Sequence, residues 1–484
     1  MQYPTVTLEP VTKQFGYQWW MLFVPAALAM VWVSAMGYQG LNGQDSHDYL
    51  QIAKAWLAWL VGGERPLMVE HPHGYPIIGA MLGQLIGPLL ALRIISLVGF
   101  LALIRVMLLL FKGEVRVEEC TGRDVSFWFT MLGVSLAPFM LRYAMTTMSD
   151  VPAVALVTFA FYALVRWQST RKPRWLFGMV AALVCALTVR LAVAPIAAVM
   201  SGLVLATWAK PNVSTRTFAI LVALLGIGAM VLVEALRQHG HLQATPLAEW
   251  SPLNWLRREL HSDDGTLNYM FPNLVYALGV CVHPGQFPLG LILLPFFRWR
   301  DLRSTLGRLA SVVALGYVLF VAGMPFQNDR VMLLAQPLVV MIFFPAFSRA
   351  WVWLSERMAK PWLVSSCLVV LQIALFVRAT VPFIRQAEVE RSLANYLEQL
   401  RPGHVYTHGM GAALRTYLPR TVITELWYGE LAEIEPGSFI VVHPANLEEQ
   451  WAGLPAHSNW KKLQAHGAMA VLQRSDGWLI ARLP

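Results

Sequence analysis

Charge is scarce in this sequence. Only 13 % of its 484 residues are Asp, Glu, Lys or Arg, while 57 % are hydrophobic. A soluble domain carries about twice that charge, so the composition excludes an ordinary soluble protein. Cysteine is scarce too. The four present (Cys120, Cys185, Cys281 and Cys367) fall in an inside loop or in apolar runs, which excludes a disulfide framework. No internal repeat and no low-complexity tract appears. A small-residue cleavage site after the first apolar run is also lacking, so that run reads as an anchor and not as a removed signal peptide.

What is present is a series of apolar runs of roughly 17–25 residues, recurring to about position 382, the length a helix needs to cross about 30 Å of hydrocarbon. The net charge of +9 does not point to nucleic acid. Its basic residues gather in short loops: Arg166, Arg171, Lys172 and Arg174; Lys210 and Arg216; Arg298, Arg300, Arg303 and Arg308; Arg349, Arg357 and Lys360. Alternation of such loops with less basic ones is the positive-inside pattern.

Spans are expected at 19–39, 88–111, 125–146, 150–167, 175–190, 191–209, 217–236, 273–297, 309–325, 331–348 and 362–382. These give about eleven crossings, with a cytoplasmic N-terminus and a C-terminus outside. Residues 40–87 form a long first outer loop in which Trp56 and Trp59 share an apolar helical face, and 76–87 is too short to cross. Helices lying in the interface are expected there. The hairpin 175–209 is tight for two crossings and carries Arg190 at its turn. Its short spans would leave a recess on the outer side. Beyond 383 the pattern changes: an amphipathic helix ends at Pro402-Gly403, "HVYTHG", "RTVITEL", "SFIVVHP" and "MAVLQ" read as short strands between helical or polar pieces, and "GWLIARL" closes the chain. The fold class is therefore a mainly α, polytopic helical bundle (1–382) with a small α/β domain (383–484) on the outside.

Ionisable groups beside spans are expensive and are functional candidates by default. On the outer side the map brings together Asp45, Asp48 and Tyr49 at the start of the first loop, Glu70 and Tyr75 in "VEHPHGYP", Asp150 in "TTMSDVP", Arg190 in "LTVRLAVAP" and Arg330 after "MPFQND". Carboxylates and arginines in one outward recess suit a ligand that is both hydroxylic and anionic. Plainer roles stand beside this. Asp45 and Asp150 are placed to cap helices, Asp48 suits a helix-start charge, and Arg190 can snorkel to the interface. His71 and His73 in "HPH" lack a third ligand for a structural zinc site. His261 in "ELHSDDG", beside Asp263 and Asp264, is a better candidate for a metal or acceptor contact in the second half.

Five of these stretches, in order, resemble the GT-C glycosyltransferases, and within them the branch of protein O-mannosyltransferases and lipid A aminoarabinose transferases. "QDSHDY" is similar to that branch's "DExxY" opening, and "EHPHGYPIIGAMLGQLIG" to its "E-x-P-x-x-Y" stretch and short helix. "SDVPAVALVTFAFYALVRW" resembles its "D-x-P" outer turn, "LTVRLAVAPIAA" its "T-K/R" hairpin, and "DRVMLLAQPLVVM" its "RYLLPLLPLL". The likeness covers roughly 19–350. This sequence departs at Ser46, where the family often has Glu, at the histidine before the proline of the second motif, and in a cation one place later in "LTVR".

The resemblance implies transfer of a sugar from a polyprenyl-phosphate donor to a hydroxyl of a lipid, glycan or protein acceptor, outside the bacterial inner membrane. It implies Asp45 as base, with Glu70 orienting the acceptor or pairing with Asp45 on a divalent ion. Arg190 and Arg330 would face phosphate, and Asp48, Tyr49, Tyr75, Asp150 and His261 would line the substrate site. Chemistry asks for the same parts. A carboxylate accepts the hydroxyl proton during attack, and arginines in a partly dry cleft stabilise the leaving phosphate. A phosphate leaving group needs no strong acid, so single displacement with inversion is expected. The alternative is a transporter or flippase of a lipid-linked or anionic substrate. That class usually shows repeated halves and polar groups near the midplane, neither of which the sequence displays.

Overall fold

A computed structural model describes residues 19–64, 66, 71–114, 122–208, 250–262, 265–325, 327–427, 429–467 and 469–484. Glu70, Asp263, Asp264, Cys120 and the expected span at 217–236 lie outside the described residues.

The first part of the chain gives α1 (Val24–Ala35), α2 (Gly43–Leu60), α3 (Gly74–Ile86), α4 (Pro88–Glu114), α5 (Gly122–Thr130), α6 (Pro138–Ala144), α7 (Asp150–Thr170), α8 (Pro173–Val189) and α9 (Ala194–Trp208). A two-stranded hairpin follows, β1 (Glu259–Ser262) with β2 (Gly265–Asn268). Next come α10 (Asn273–Leu278), α11 (Gly290–Leu293), α12 (Thr305–Ala322), α13 (Asp329–Met332), α14 (Gln336–Arg357) and α15 (Trp362–Leu400). The last part holds β3 (His404–Thr407), α16 (Gly411–Tyr417), β4 (Val422–Glu425), β5 (Phe439–Val442), α17 (Pro444–Glu449), α18 (Pro455–Ala465), β6 (Ala470–Ser475) and β7 (Trp478–Arg482).

Among the described residues, five helices are long and apolar enough to cross a membrane: Pro88–Lys112, Asp150–Thr170, Thr305–Ala322, Gln336–Arg357 and Trp362–Leu400. A sixth candidate is bent by 64° between Val125–Ser135 and Pro138–Ala144. The bend follows a π-helical turn at Met131–Ser135, and Pro138 starts the next helix; both are recognised causes of kinks. The expected span at 273–297 is not one helix. It is broken into α10, a 3-10 turn, α11 and a further 3-10 turn, because Pro284, Pro288 and Pro295 interrupt it. The tight hairpin at 175–209 is present as α8 and α9, and α2 and α3 are the helices of the first loop.

α7 runs along both α4 and α8, and α12 lies against α9 and α14. Their shared core is mainly apolar, with Phe100, Phe111, Phe129, Phe161 and Phe287 fully buried. Two glycines bring the loop ends together. Gly40 has φ +84 and accepts from Thr147 N at 2.7 Å, which ties the loop before α2 to the loop before α7. A Cβ on Gly74 would lie 2.6 Å from the Thr188 carbonyl oxygen, so only glycine lets α3 begin against the end of α8.

α15 continues without a break through position 383 and carries the chain into the second part. There a five-stranded sheet has the order β4-β3-β5-β7-β6. β4, β3 and β5 are parallel, while β7 is antiparallel to β5 and β6. Strand alternation sends Phe439 and Val441 to Leu393, Ala394 and Leu397 of α15, and Ile440 and Val442 to Leu447, Trp460 and Leu463. The result is an α/β sandwich with a helix layer on each face.

Candidate active site

The loop ends of the bundle place four charged side chains in one ladder. Asp45 sits in the first turn of α2. Its Oδ2 accepts from Arg330 Nη1 at 2.5 Å. Arg330 Nη2 donates to Asp150 Oδ2 at 3.1 Å, and Asp150 Oδ1 lies 2.9 Å from Arg190 Nη1. Each member comes from a different element: α2, α13, the start of α7, and the extended residue between α8 and α9.

Neither aspartate caps its helix. The residues preceding α2 and α7 are Asn42 and Ser149, and both carboxylates are turned to arginines instead. Arg190 points inward to Asp150 with its side chain 13 % exposed, so it does not snorkel. Exposure separates the two acids. Asp150 is 1 % exposed, whereas Asp45 is 35 % exposed. Asp150 is a buried brace holding two guanidinium groups, and Asp45 is the carboxylate an incoming molecule can reach. Burial pushes the Asp45 carboxyl up, but Arg330, His71 and Arg190 outweigh it and hold it at about 2.

Around the ladder, Tyr49 and Tyr75 are buried and stack edge to face at 5.3 Å. The Tyr49 hydroxyl is 2.7 Å from Ser149 Oγ, next to Asp150. Tyr75 Oη donates to Leu92 O at 2.9 Å and lies 2.9 Å from Ser96 Oγ. Both hydroxyls are thus engaged within the protein. His71 lies 3.6 Å from Asp48, and Arg415 of α16 approaches Asp48 from the second domain at 3.9 Å. His73 is engaged elsewhere, accepting from Trp56 Nε1 at 2.8 Å.

His261 is not brought to the ladder by any described contact. It is exposed on β1, with Thr266 Oγ1 at 3.0 Å and Glu259 at 3.6 Å. The hairpin instead docks on the second domain, where Thr266 N donates to Gln450 O at 2.8 Å. Glu70 lies outside the described residues, and with it the pairing with Asp45 on a metal ion. Among the described residues no group of three or more His, Cys, Asp or Glu side chains is arranged to hold a metal.

Two further pairs went unmarked in the sequence reading. Arg142 Nη2 donates to Asp329 at 2.6 Å, and Tyr143 Oη to the same carboxylate at 3.1 Å. The Arg142 guanidinium also lies over the rings of Phe139, Tyr143 and Phe383 at 4.1 to 4.5 Å. An arginine inside the expected span 125–146 was the available signal, since such a charge requires a partner. The second pair, His47 with Glu390 at 3.1 Å, had no comparable signal, because a carboxylate in an amphipathic helix reads as solvated.

The sequence matches no family model and no curated protein. Similarity appears at the level of structure. The crystal structure of ArnT from Cupriavidus metallidurans bound to undecaprenyl phosphate superposes with a TM-score of 0.62 at 13 % identity, covering 96 % of this chain and 98 % of that one. The apo form of the same protein gives 0.59 at 14 % identity, covering 96 % and 97 %. At such identity the likeness speaks for architecture: this chain has the fold of ArnT over nearly its whole length.

Proposed function

We propose that this protein is an integral membrane glycosyltransferase. It moves a sugar from a polyprenyl-phosphate donor to an acceptor hydroxyl on the extracytoplasmic face, by a single displacement that inverts the anomeric centre. The observation that carries this reading is the ladder Asp45–Arg330–Asp150–Arg190 at one mouth of the bundle. A fold shared with a protein crystallised with undecaprenyl phosphate adds support for the donor class.

The acceptor oxygen attacks the anomeric carbon as the bond from that carbon to the phosphate oxygen breaks. The bonding pair leaves with the phosphate, and the acceptor proton passes to Asp45. Arg330 and Arg190, held by buried Asp150, meet the charge that develops on phosphate; fixed cations in a water-poor site do this without reorganising.

The resting ladder also explains how Asp45 becomes a base. With a pKa of about 2 it is a weak proton acceptor while Arg330 is bound to it. A donor phosphate competes for that guanidinium, and Asp45 is released as the donor binds. The acceptor hydroxyl becomes acidic only as attack proceeds, so a modest base in hydrogen-bond reach is enough. Asp48, His71 and Arg415 then stand at the rim where an acceptor enters.

The distribution of charge favours an enzyme over a transporter. The stretches 151–165 in α7, 309–322 in α12 and 337–348 in α14 contain no charged residue, and the next ion pair along α14, Arg349 with Asp301, lies about 20 Å from its start at 1.5 Å per residue. The direct test is to supply purified protein in liposomes with polyprenyl-phosphate-linked sugars and a pool of lipid and glycan acceptors. Transfer with release of polyprenyl phosphate supports the reading. Movement of intact donor across the bilayer without transfer would refute it.

A further inference from the structure

The first turn of α2 is held from behind by the second half of the chain. Glu390 of α15, 1 % exposed, accepts from Gly43 N through Oε1 at 3.0 Å. The side chain of Asn42, the residue at the N-cap, does not cap α2, so this carboxylate, 347 residues away in sequence, satisfies an amide at the positive end of the helix. Its Oε2 lies 3.1 Å from His47 Nε2. His47 is fully buried, and its Nδ1 is 3.0 Å from Thr416 Oγ1 on α16. Thr416 donates to Ala412 O at 2.9 Å and accepts from Gln51 Nε2 at 3.1 Å.

Helical geometry gives this network a direction. Gly43 and His47 are four residues apart and share one face, while Asp45, midway between them, points to the other. Glu390 and His47 therefore pin the back of the turn whose front offers Asp45 to Arg330. We infer that Glu390 and His47 are positioning residues, through which α15 and the C-terminal α/β domain set the pose of the base, Asp45. The phosphate-facing groups Arg190 and Arg330, and Asp150 that braces them, belong to other elements, so loosening this clamp acts on the chemical step and spares donor binding. This inference rests on the proposed reaction for its kinetic consequence alone; the clamp itself is readable without turnover.

The test uses the full-length protein in detergent or nanodiscs with Glu390→Gln, His47→Gln, Thr416→Val and Thr416→Ser. Losing one charge-assisted hydrogen bond corresponds to about a ten-fold change. Glu390→Gln and His47→Gln are expected to lower kcat by at least that factor, with the affinity for undecaprenyl phosphate within about two-fold of wild type. Thr416→Val is expected to lower kcat about three-fold, and Thr416→Ser, which keeps the hydroxyl, to restore it. Amide hydrogen exchange across residues 43–49 should rise in Glu390→Gln and Thr416→Val while the melting temperature of the bundle holds. Should Glu390→Gln fail to fold, Thr416→Val carries the same measurement from the other end of the network. Unchanged exchange at 43–49 in both variants, or a loss of donor affinity equal to the loss in kcat, overturns the inference. If the wild-type protein transfers no sugar at all, the parent reading falls instead, and the exchange measurement still decides the clamp.

Discussion

Asp45 Oδ2 and Arg330 Nη1 lie 2.5 Å apart although 285 residues separate them in the chain. The pair joins the first turn of α2 to α13, and it is shared: Arg330 also holds Asp150. In the proposed reaction a donor phosphate enters by rearranging this existing charge network, and each part of the network has a different expected signature.

The acid limb of the pH–rate profile should differ between the free and the donor-loaded protein. The proposed mechanism uses ionised Asp45, so activity is expected to be full above the relevant pKa and lost as pH falls through it. In the free protein that value is about 2, so kcat/KM should stay flat to about pH 4. Once phosphate draws Arg330 away, the Asp45 pKa rises, so kcat should begin to fall at a higher pH than kcat/KM. Coincident acid limbs would contradict release of the base by the donor.

Asp150→Asn should damage both stability and donor binding. Its carboxylate is buried and neutralises two guanidinium groups, and removing one partner from a buried ion network costs about 3–5 kcal/mol. Thermal unfolding and undecaprenyl phosphate binding together check this. A melting temperature equal to wild type would show that Arg190 and Arg330 need no brace.

Much of this site was legible in the sequence, and the reason is energetic. Asp45, Asp150, Arg190 and Arg330 are charges at the ends of apolar runs, where a membrane protein places a charge only with a partner or a ligand. Which atoms pair could not be read, since the ladder is made by packing of α2, α7, α8 and α13 and not by spacing. The broken segment at 273–297 was missed because its average hydropathy conceals the prolines that stop a helix. Four of the five short strands of the second domain were legible as short apolar stretches between helical or polar pieces. Its attachment was not: the Glu390–His47 contact and the docking of β2 on Gln450 each depend on tertiary position alone.

Gly40→Ala should weaken the junction between the loops before α2 and α7. The residue has φ +84, and a Cβ there would come within 3.2 Å of Met145 O, Thr147 Oγ1 and Arg93 Cδ. A left-handed conformation costs an L residue about 1–2 kcal/mol, so a lower melting temperature with reduced transfer is expected. Full stability and rate would mean that this loop relaxes without disturbing Asp45.

In the C-terminal α/β part, Glu425 is buried and accepts from Trp427 Nε1 at 2.8 Å. Burial pushes its carboxyl up to about 7, against the pull of Arg415. A raised folded pKa contributes stability that is complete below the ordinary value of 4.5 and is lost as pH rises toward 7. Glu425→Gln does not titrate, so its stability relative to wild type should grow over that window by on the order of 3 kcal/mol. Unfolding of the full-length protein followed by tryptophan fluorescence from pH 4.5 to 8 reads this directly. A difference independent of pH would show that Glu425 is ionised without cost.

The measurement that bears most directly on the ladder is donor binding and sugar transfer by Asp45→Asn in liposomes. Asparagine keeps the shape, and Arg330 keeps Asp150 as a partner. Undecaprenyl phosphate is expected still to bind while transfer falls by about 10²- to 10⁴-fold, the range for loss of a positioned base. Wild-type transfer by Asp45→Asn would rule out Asp45 as the base.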